Sequence, residues 1–252
     1  MGRMLVSSVL SLPILSELTR NSFAYGTSLL VEFEPHSLWY ETSLTIAAHA
    51  LRHGIRTDYH SYVRSPDEIR KTLSGLGLNP QKLEQEDTLR IIDSYTVTTG
   101  IGTPEKPAAK SELPYQAQSL KMSDWSIGTA RVLKGVGVTQ ADKRRVHLDD
   151  NSSVLTQFNQ EKEVLDIWRA RFIPFSRILE QATCHSLIVG VHSEAFYKYI
   201  ESVSDGVIDF KSKEENGAIQ HFVRTRILRS KGYDSSWRKL QLLENGEVKF
   251  AE

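Results

Sequence analysis

Two neighbouring carboxylates, Asp149 and Asp150, follow a short predicted strand that begins at Arg145. Carboxylates at the end of a strand bind Mg²⁺ or Ca²⁺ when other oxygen ligands join them. Their alternative role is to accept hydrogen bonds from backbone amides or to pair with a nearby arginine. The choice depends on which other residues the fold brings to this end of the strand.

The histidines and the single cysteine offer weaker candidates. His49 and His53 are spaced i, i+4 on a predicted helix, but no third zinc ligand is identifiable, so we interpret them as a solvated face. Cys184 precedes His185 on a predicted strand, where adjacent side chains point to opposite faces, so we expect no catalytic dyad. Three histidines fall on predicted strands or their ends, where we expect buried, hydrogen-bonded side chains: His147, His185 and His192.

A basic cluster lies near the carboxyl end of the chain and comprises Arg224, Arg226, Arg229, Lys231, Arg238 and Lys239. Such a cluster can contact the phosphate backbone of DNA. It can equally be the charged edge of a hairpin that resists aggregation. Over the whole chain 31 basic residues balance 31 acidic ones, so net charge predicts no nucleic-acid or acidic-membrane partner.

The elements that must position these residues alternate between strands and helices. Buried strands are predicted at 29–33, 89–93, 145–149 and 186–191, and an amphipathic helix is predicted from the apolar stripe Leu44, Ala47, Ala48 and Leu51. After Asp205 the pattern changes to extended segments with turns at Asn216-Gly217 and Asn245-Gly246, typical of antiparallel hairpins. The order predicts an α/β fold, a mostly parallel sheet flanked by helices with a C-terminal antiparallel β extension.

The 252 residues, of which 40% are hydrophobic, suit one domain spanning 1–252. Within it we predict an N-terminal extension over 1–22, a long surface loop over 96–124 and a β-meander over 206–252. A lone cysteine cannot form an internal disulfide, so we expect a cytoplasmic protein. No run of about 20 apolar residues is present, so we expect no membrane span.

Several phrases, in this order, resemble the RecA-like ATPases of the KaiC type, a group that includes the archaeal FlaH and Rad-paralogue proteins. They are Leu51-Arg52-His53-Gly54, Ser65-Pro66-Asp67-Glu68-Ile69, Leu89–Ser94, Arg145–Asp149 and Ser204–Ile208. The resemblance covers roughly residues 23–245 and implies a RecA-like fold. It places Asp149 at the aspartate that binds the metal of the nucleotide.

In that family the phosphate-binding loop has the form G-E-P-G-S-G-K-T-T. The resemblance aligns it with Phe33-Glu34-Pro35-His36-Ser37-Leu38-Trp39-Tyr40-Glu41. Three glycines, the lysine and the Mg²⁺-binding hydroxyl are thus replaced, the lysine by Trp39 and the hydroxyl residue by Tyr40. Glycines let backbone amides surround phosphate and lysine supplies charge, so we expect this loop to have lost both properties. An alignment shifted by two residues places Thr42 at the hydroxyl and Glu41 at the lysine, which does not restore the site.

A second part of the ATPase machinery is also replaced. The family carries catalytic glutamates immediately before the segment that matches Ser65-Pro66, where this chain has Val63 and Arg64. Neither side chain can act as a general base. Without the loop's ligands, we expect Asp149 and Asp150 to cap backbone rather than bind a metal, and we predict no cofactor.

The sequence therefore predicts a non-catalytic, KaiC/FlaH-like pseudo-ATPase that acts through protein contacts, as a homo-oligomer or in a mixed oligomer with an active ATPase. The resemblance also allows Arg226 or Arg229 to reach a neighbouring subunit's nucleotide. The alternative is an accessory protein that binds DNA through Arg224, Arg226 and Arg229. An enzyme with altered chemistry is a third hypothesis, for which no set of residues is apparent. Trp39 and Tyr40 either fill the former nucleotide pocket or form an exposed anchor for a partner.

Overall fold

The computed structural model describes residues 9–105, 119–229 and 232–251. The strands are β1 (Ser28–Phe33), β2 (Thr57–Ser61), β3 (Leu89–Asp93), β4 (Val146–Asp149), β5 (Ala182–Ile188), β6 (Gly206–Glu215), β7 (Ala218–Leu228), β8 (Arg238–Leu242) and β9 (Val248–Phe250). The helices are α1 (Leu15–Leu18), α2 (Trp39–Arg52), α3 (Pro66–Gly75), α4 (Pro80–Gln85), α5 (Tyr95–Thr99), α6 (Met122–Leu133), α7 (Leu155–Phe158), α8 (Glu161–Ile167), α9 (Ile173–Ile178) and α10 (Glu194–Val203).

All nine strands form one sheet in the order β3-β2-β4-β5-β1-β6-β7-β8-β9. Neighbouring strands from β3 to β6 in this order are parallel, and neighbouring strands from β6 to β9 are antiparallel. The β6–β7 hairpin turns at Asn216 and Gly217, which both have positive φ, as the Asn-Gly signal predicts. The predicted α/β architecture with an antiparallel C-terminal extension is confirmed.

Apolar side chains cover both faces of the sheet. In β1, Leu29 and Val31 belong to one core cluster and Leu30 belongs to another on the opposite face. The first cluster contains the predicted α2 stripe, all of it buried, together with residues of α3. The second contains residues of α6, α8 and α10. Burial on both faces explains the continuous apolar runs of the central strands.

Sequence signals at the helix ends operate as expected. The Ser65 hydroxyl accepts a hydrogen bond from the Glu68 amide at 3.2 Å, and the Glu68 carboxylate accepts one from the Ser65 amide at 2.9 Å. This capping box satisfies two backbone donors at the start of α3, and Pro66 occupies the first helical position. Gly54 after α2 has φ +70°, the left-handed conformation that commonly ends a helix.

Two local predictions differ from the structure. The segment predicted as a loop over 96–124 contains α5 and the start of α6; α5 forms because the Asp93 carboxylate caps the Thr96 amide at 2.9 Å. Residues 106–118 of that segment lie outside the described residues. The sequence also predicts one long helix over 161–181, with Leu165, Trp168, Phe172, Phe175 and Leu179 on one face. It is not continuous in the structure, because Trp168–Phe172 forms a π-helical turn between α8 and α9.

The amino-terminal segment is part of the core from residue 10 onward. Leu10, Leu12, Ile14 and Leu15 are each at most 5% exposed and join the same cluster as α2. Residues 1–8, part of the predicted extension, lie outside the described residues. No helix in the described part of the chain is long and apolar enough to cross a membrane.

Candidate functional site

The loop between β1 and α2, residues 34–38, stands where the sequence resemblance placed the phosphate-binding loop. Glu34 and Ser37 close a turn through a hydrogen bond from the Ser37 amide to the Glu34 carbonyl at 3.1 Å. His36 adopts φ +65°, in the left-handed region that favours glycine, and it stands at one of the three aligned glycine positions. The backbone thus keeps a conformation suited to glycine although the side chain is imidazole.

Trp39, at the aligned lysine position, is 1% exposed. Its indole Nε1–H donates to the Asp149 backbone carbonyl at 3.1 Å, and its ring packs edge-on against Phe210 with centroids 5.3 Å apart. The side chain therefore lies inside the protein and is fully satisfied there. Of the two interpretations left open for Trp39, the buried one describes the structure.

The next three residues of α2, Tyr40, Glu41 and Thr42, differ in burial and in their contacts. Tyr40 is half-buried, with the Arg64 guanidinium 4.9 Å from its ring centroid, and burial raises the pKa of its phenol. Glu41 is half-buried and lines the cleft described below. Thr42 is fully buried, and its Oγ1 has no hydrogen-bond partner among the described residues. The hydroxyl of Thr42 is therefore unpaired but enclosed in the core, and Glu41 has no hydroxyl group.

Asp149 ends β4 and its carboxylate is almost entirely occupied. Oδ2 accepts a hydrogen bond from Ser152 Oγ at 2.7 Å and faces His185 Nδ1 at 3.1 Å. Oδ1 accepts from the Ser186 amide at 3.0 Å and from the Ser186 hydroxyl. These contacts tie the end of β4 to β5 and to the segment that follows β4.

Asp150 has the capping role that the sequence favoured. Its Oδ1 accepts from the Tyr62 amide at 2.7 Å, and its Oδ2 accepts from the amides of Val63 and Arg64 at 3.2 Å and 3.0 Å. Burial raises the pKa of this carboxyl to about 7, although the three amides oppose the shift. Asp150 therefore fixes the backbone that carries the two residues aligned with catalytic glutamates.

A cleft of about 550 Å³ opens beside the β1–α2 loop at the carboxyl ends of the parallel strands. Its walls carry the carboxylates of Glu34, Glu41 and Asp150 and one guanidinium, that of Arg64. Carboxylates outnumber permanent cations, so the electrostatic field does not favour a polyphosphate. Glu34 is also engaged, because its Oε2 accepts a hydrogen bond from the Ser212 amide at 3.2 Å.

Two arginines of the basic cluster form ion pairs with acidic side chains of the same chain. Arg224 binds Asp209 at 2.8 Å, and Arg226 contacts Glu32, Glu201 and Asp209 at 2.7, 2.9 and 3.0 Å. Arg229 donates to the Ser202 carbonyl. Lys231 lies outside the described residues.

The arginines of the cluster on β7 lie in the part of that strand that pairs with β6 alone. β8 pairs with β7 only at residues 221–223, and Arg224 and Arg226 lie beyond this register. The interpretation of these arginines as a charged hairpin edge stays a prediction.

The acid cluster of Glu32, Glu201 and Asp209 surrounds the Arg226 guanidinium. Burial raises the pKa of Glu32 to about 7, while Arg226 opposes the shift and Glu201 reinforces it. Glu32 is 9% exposed, and its Oε1 has no hydrogen-bond partner within the described chain. The Glu32 carboxyl group therefore changes its protonation near neutral pH, within a network of charged side chains.

Sequence reasoning missed a histidine cavity on the face of the sheet under α6 and the π-helical turn. His60 on β2, His147 on β4 and His185 on β5 line this space of about 30 Å³, with Trp125, Arg171, Phe172, Phe175, Gln181 and Thr183 completing the wall. The signal was present, because residues two apart on a strand share a face and the three strands are neighbours. His147 had been expected to be hydrogen-bonded, and neither of its ring nitrogens bonds to any of the described residues.

Burial sets the protonation of this cavity. The pKa of His60 lies well below its usual value, and that of His147 falls to about 4, mainly because burial disfavours the charged ring and the neighbouring histidine repels it. Cys184 points to the opposite face and belongs to the other core cluster, and burial raises the pKa of its thiol. The absence of a Cys184–His185 dyad thus follows from strand geometry.

The remaining histidines lie elsewhere. His49 and His53 stack on each other, with ring centroids 4.2 Å apart, and His53 is exposed. The side chain of His192 is 2% exposed, and its Nδ1 lies 3.5 Å from Thr156 Oγ1 and 3.8 Å from Glu161 Oε1. Its Nε2 has no hydrogen-bond partner among the described residues. The expected burial of this side chain is confirmed, and its hydrogen bonding is met at one ring nitrogen, although the residue lies in the loop beyond β5 rather than on a strand.

Comparison with known proteins identifies the fold. No protein-family profile matches the sequence, and no curated protein matches it significantly. The KaiC-like protein PH0186 from the hyperthermophilic archaeon Pyrococcus horikoshii OT3 is structurally similar, with a TM-score of 0.69, 15% sequence identity and coverage of 96% of both chains. At this identity the likeness concerns the fold, and the chain has the RecA-like α/β fold of KaiC-like proteins. The resemblance read from the sequence phrases is confirmed at that level.

Proposed function

We propose that the protein is a non-catalytic KaiC-like pseudo-ATPase that acts as a regulatory or assembly subunit through contacts with other proteins. The observation that carries the proposal is Trp39. Its indole occupies the position aligned with the phosphate-binding lysine, is 1% exposed and is hydrogen-bonded to the Asp149 carbonyl. A neutral, buried ring supplies no charge to a phosphate.

The carboxylate aligned with the metal-binding aspartate supports the same function. Asp149 accepts hydrogen bonds from Ser152 and Ser186 and faces His185. Mg²⁺ prefers oxygen ligands and retains several waters of its own, which this buried and occupied carboxylate does not accommodate. A Mg²⁺–nucleotide complex would have to break several of these bonds.

The residues aligned with the catalytic glutamates support it further. Val63 cannot accept a proton, and Arg64 stays protonated while its guanidinium lies over the Tyr40 ring at 4.9 Å. Their backbone is fixed by Asp150. The two positions aligned with the catalytic glutamates therefore supply no base for activation of a water molecule that attacks a phosphate.

Exposed apolar side chains at the same end of the sheet favour protein contacts. Val63, which lines the cleft, is 42% exposed, and Val189 and Val191 beyond β5 are 44% and 58% exposed. Apolar surface around a polar cleft is a common feature of protein interaction sites. We propose a homo-oligomer or a mixed oligomer with an active RecA-like ATPase as the assembly.

Nucleotide binding is the direct test. Equilibrium dialysis with labelled ATP and ADP, each with and without Mg²⁺, should give no saturable binding tighter than about 1 mM. Trp39→Lys provides a matched comparison, because one substitution restores only the charge and leaves the three replaced glycines. Micromolar, Mg²⁺-dependent binding by the parent protein would refute the proposal.

Assembly requires a second measurement. Multi-angle light scattering should show either a defined homo-oligomer or a defined complex when the protein is mixed with a KaiC-like ATPase from the same organism. In a mixed complex, the ATPase rate of the partner should change at stoichiometric ratios. A monomer at all concentrations that leaves the partner's rate unchanged would remove the regulatory part of the proposal.

The DNA-binding alternative has less support. Arg224 and Arg226 already neutralise Asp209 and the other members of the acid cluster, so phosphate contacts would have to replace these ion pairs. Fluorescence anisotropy with single-stranded oligonucleotides at low and moderate salt tests the alternative. Salt-sensitive binding that is lost in Arg224→Ala/Arg226→Ala would favour it over the pseudo-ATPase assembly role.

A further inference from the structure

The histidine cavity is built by three neighbouring strands and closed by the helical segment above them. Its volume of about 30 Å³ suits one or two waters, or an ion with one water. His60, His147 and His185 are all less than 9% exposed. A polar space of this size inside a core layer requires a set of partners for its polar walls.

Three potential metal ligands converge beside this space. His147, Asp149 and His185 each offer one ligand atom, and these atoms lie within 4.8 Å of one another. Nδ1 of His185 and Oδ2 of Asp149 are only 3.1 Å apart. Two ligands of one tetrahedral zinc ion, with bonds of about 2.0–2.1 Å, lie roughly 3.3 Å apart, so this pair already has the required spacing.

One buried polar side chain in the cavity wall lacks a partner. Thr183, opposite His147 on β5, is 2% exposed, and its Oγ1 has no partner within residues 9–105, 119–229 and 232–251. An unpaired hydroxyl at this depth is uncommon in folded proteins and points to a bound species.

The support behind the ligands is also in place. Ser152 Oγ donates to Asp149 Oδ2 at 2.7 Å, and the Ser186 amide donates to Oδ1 at 3.0 Å. Such bonds orient a carboxylate toward a metal and typically account for a tenfold to hundredfold difference in affinity. An ion bound between His185 Nδ1 and Asp149 Oδ2 leaves the hydrogen bonds from Ser152 and Ser186 intact.

We propose that His147, Asp149 and His185 bind one Zn²⁺ ion or a similar divalent transition-metal ion, with a water in the histidine cavity as the fourth ligand. Two imidazoles and one carboxylate suit Zn²⁺, whereas Mg²⁺ and Ca²⁺ prefer all-oxygen sites. The ion would join β4 to β5 across the register that pairs them. This is a structural site, distinct in chemistry from a Mg²⁺–nucleotide complex.

The positive charge of Arg171 disfavours the binding of a metal ion at this site. Its guanidinium lies 4.3 Å from the Trp125 ring centroid, in the same cavity wall, and repels a second cation. The Asp149 carboxylate offsets one charge. The competing occupant of the cavity is a small anion attracted to Arg171, and the experiment must separate the two.

The test uses the full chain, stripped of metal by a chelator and dialysed. Co²⁺ titration should produce the visible absorption of a tetrahedral site at one ion per chain, and Zn²⁺ should displace it. His147→Asn and His185→Asn should abolish the signal. His49→Ala/His53→Ala is the matched control, because it removes the stacked histidine pair of α2 and its end, which lies away from the cavity, and should leave the signal unchanged.

Zinc-edge X-ray absorption of the parent protein gives a result that does not depend on how the variants fold. Two imidazole ligands per zinc are expected. No stoichiometric Co²⁺ binding, a signal that survives in His147→Asn, or a signal lost in the His49/His53 control would each overturn the proposal. Thermal stabilisation by inorganic phosphate but not by Zn²⁺ would identify an anion site and overturn it as well. None of these outcomes depends on nucleotide binding, so the site and the pseudo-ATPase proposal fail independently.

Discussion

The β1–α2 loop region and the histidine cavity meet at Asp149 and satisfy their polar groups differently. On the loop side, the Asp149 carbonyl accepts the Trp39 indole proton, and Asp150 accepts three backbone amides. On the cavity side, the Thr183 hydroxyl has no partner in the described chain, and His147, Asp149 and His185 offer ligand atoms within 4.8 Å of one another. The loop side also keeps unpaired hydroxyls, those of Ser37 and Thr42, but the position aligned with the lysine is filled by a hydrogen-bonded ring. The two regions therefore differ in whether a potential ligand site is filled by a side chain of the protein or is left open.

The contrast predicts large losses of stability on the loop side and small or opposite changes on the cavity side. Four substitutions test the contrast, from the largest expected effect to the smallest.

Trp39→Ala should lower the free energy of unfolding by about 3–5 kcal/mol, because it leaves a large cavity and removes the indole hydrogen bond to the Asp149 carbonyl. Urea denaturation measures the change. Trp237→Ala is the control, since that ring is half-buried and lies beside the cations of Lys211 and Arg224. If Trp39→Ala lowered the free energy of unfolding by less than about 1 kcal/mol, the Trp39 side chain would not be a major packing element of the loop region, contrary to this comparison.

Asp150→Ala should cost about 2–3 kcal/mol, because three backbone amides lose their buried acceptor. Hydrogen exchange should show faster opening at residues 62–64. Asp67→Ala on α3 is a matched control, since its carboxylate is 89% exposed and should contribute less than about 0.5 kcal/mol. Equal effects for the two aspartates would contradict the capping role.

Glu32 is a second place, outside the histidine cavity, where a buried polar atom lacks a hydrogen-bond partner among the described residues. Its folded pKa of about 7 lies above the usual 4.5, so the folded state binds a proton more tightly than the unfolded state between these values. The stability contributed by this group is full below about pH 4.5 and is lost as pH rises through about 7.

Glu32→Gln should therefore stabilise the protein by about 1–3 kcal/mol at pH 8 and leave it unchanged near pH 4. Urea midpoints at several pH values measure the difference, with the exposed Glu214→Gln as the control. A variant that is less stable at pH 8 would show that the Arg226 ion pair outweighs burial.

Thr183→Val should stabilise the metal-free protein by up to about 1 kcal/mol, because the substitution removes a buried hydroxyl without a partner and keeps the shape. Thr225→Val is the opposite case, since its buried hydroxyl donates to the Leu18 carbonyl at 2.8 Å and should cost about 1–2 kcal/mol. Similar losses for both threonines would indicate that Thr183 is already satisfied by a bound species.

Much of the fold was readable from the sequence because its signals are local. The α2 stripe, the capping box at Ser65 and the two Asn-Gly turns depend on residues within one or two turns of chain. The capping role of Asp150 was also favoured, although its three partners lie 86 to 88 residues away. The resemblance to KaiC-like proteins supplied the order in which these elements assemble.

The rest depended on contacts across the sheet. The sequence could not show that Trp39 reaches the Asp149 carbonyl, a separation of 110 residues. The histidine cavity was missed because strand order, rather than sequence order, makes β2, β4 and β5 neighbours. Arg224 and Arg226 looked like free cations because their acidic partners come from β1, β6 and α10.

The π-helical turn at Trp168–Phe172 has a consequence for the history of the chain. A π turn accommodates one extra residue within an α-helix, while the helical turns before and after it keep the same side chains directed at the core. In this segment Arg169 and Ala170 are exposed, whereas Trp168, Arg171 and Phe172 are buried. A relative that lacks one of the exposed residues would have an unbroken helix with the same buried contacts. Pairwise alignments of this protein should therefore place a single-residue gap here, and forcing a gapless match would misassign Arg171 and Phe172.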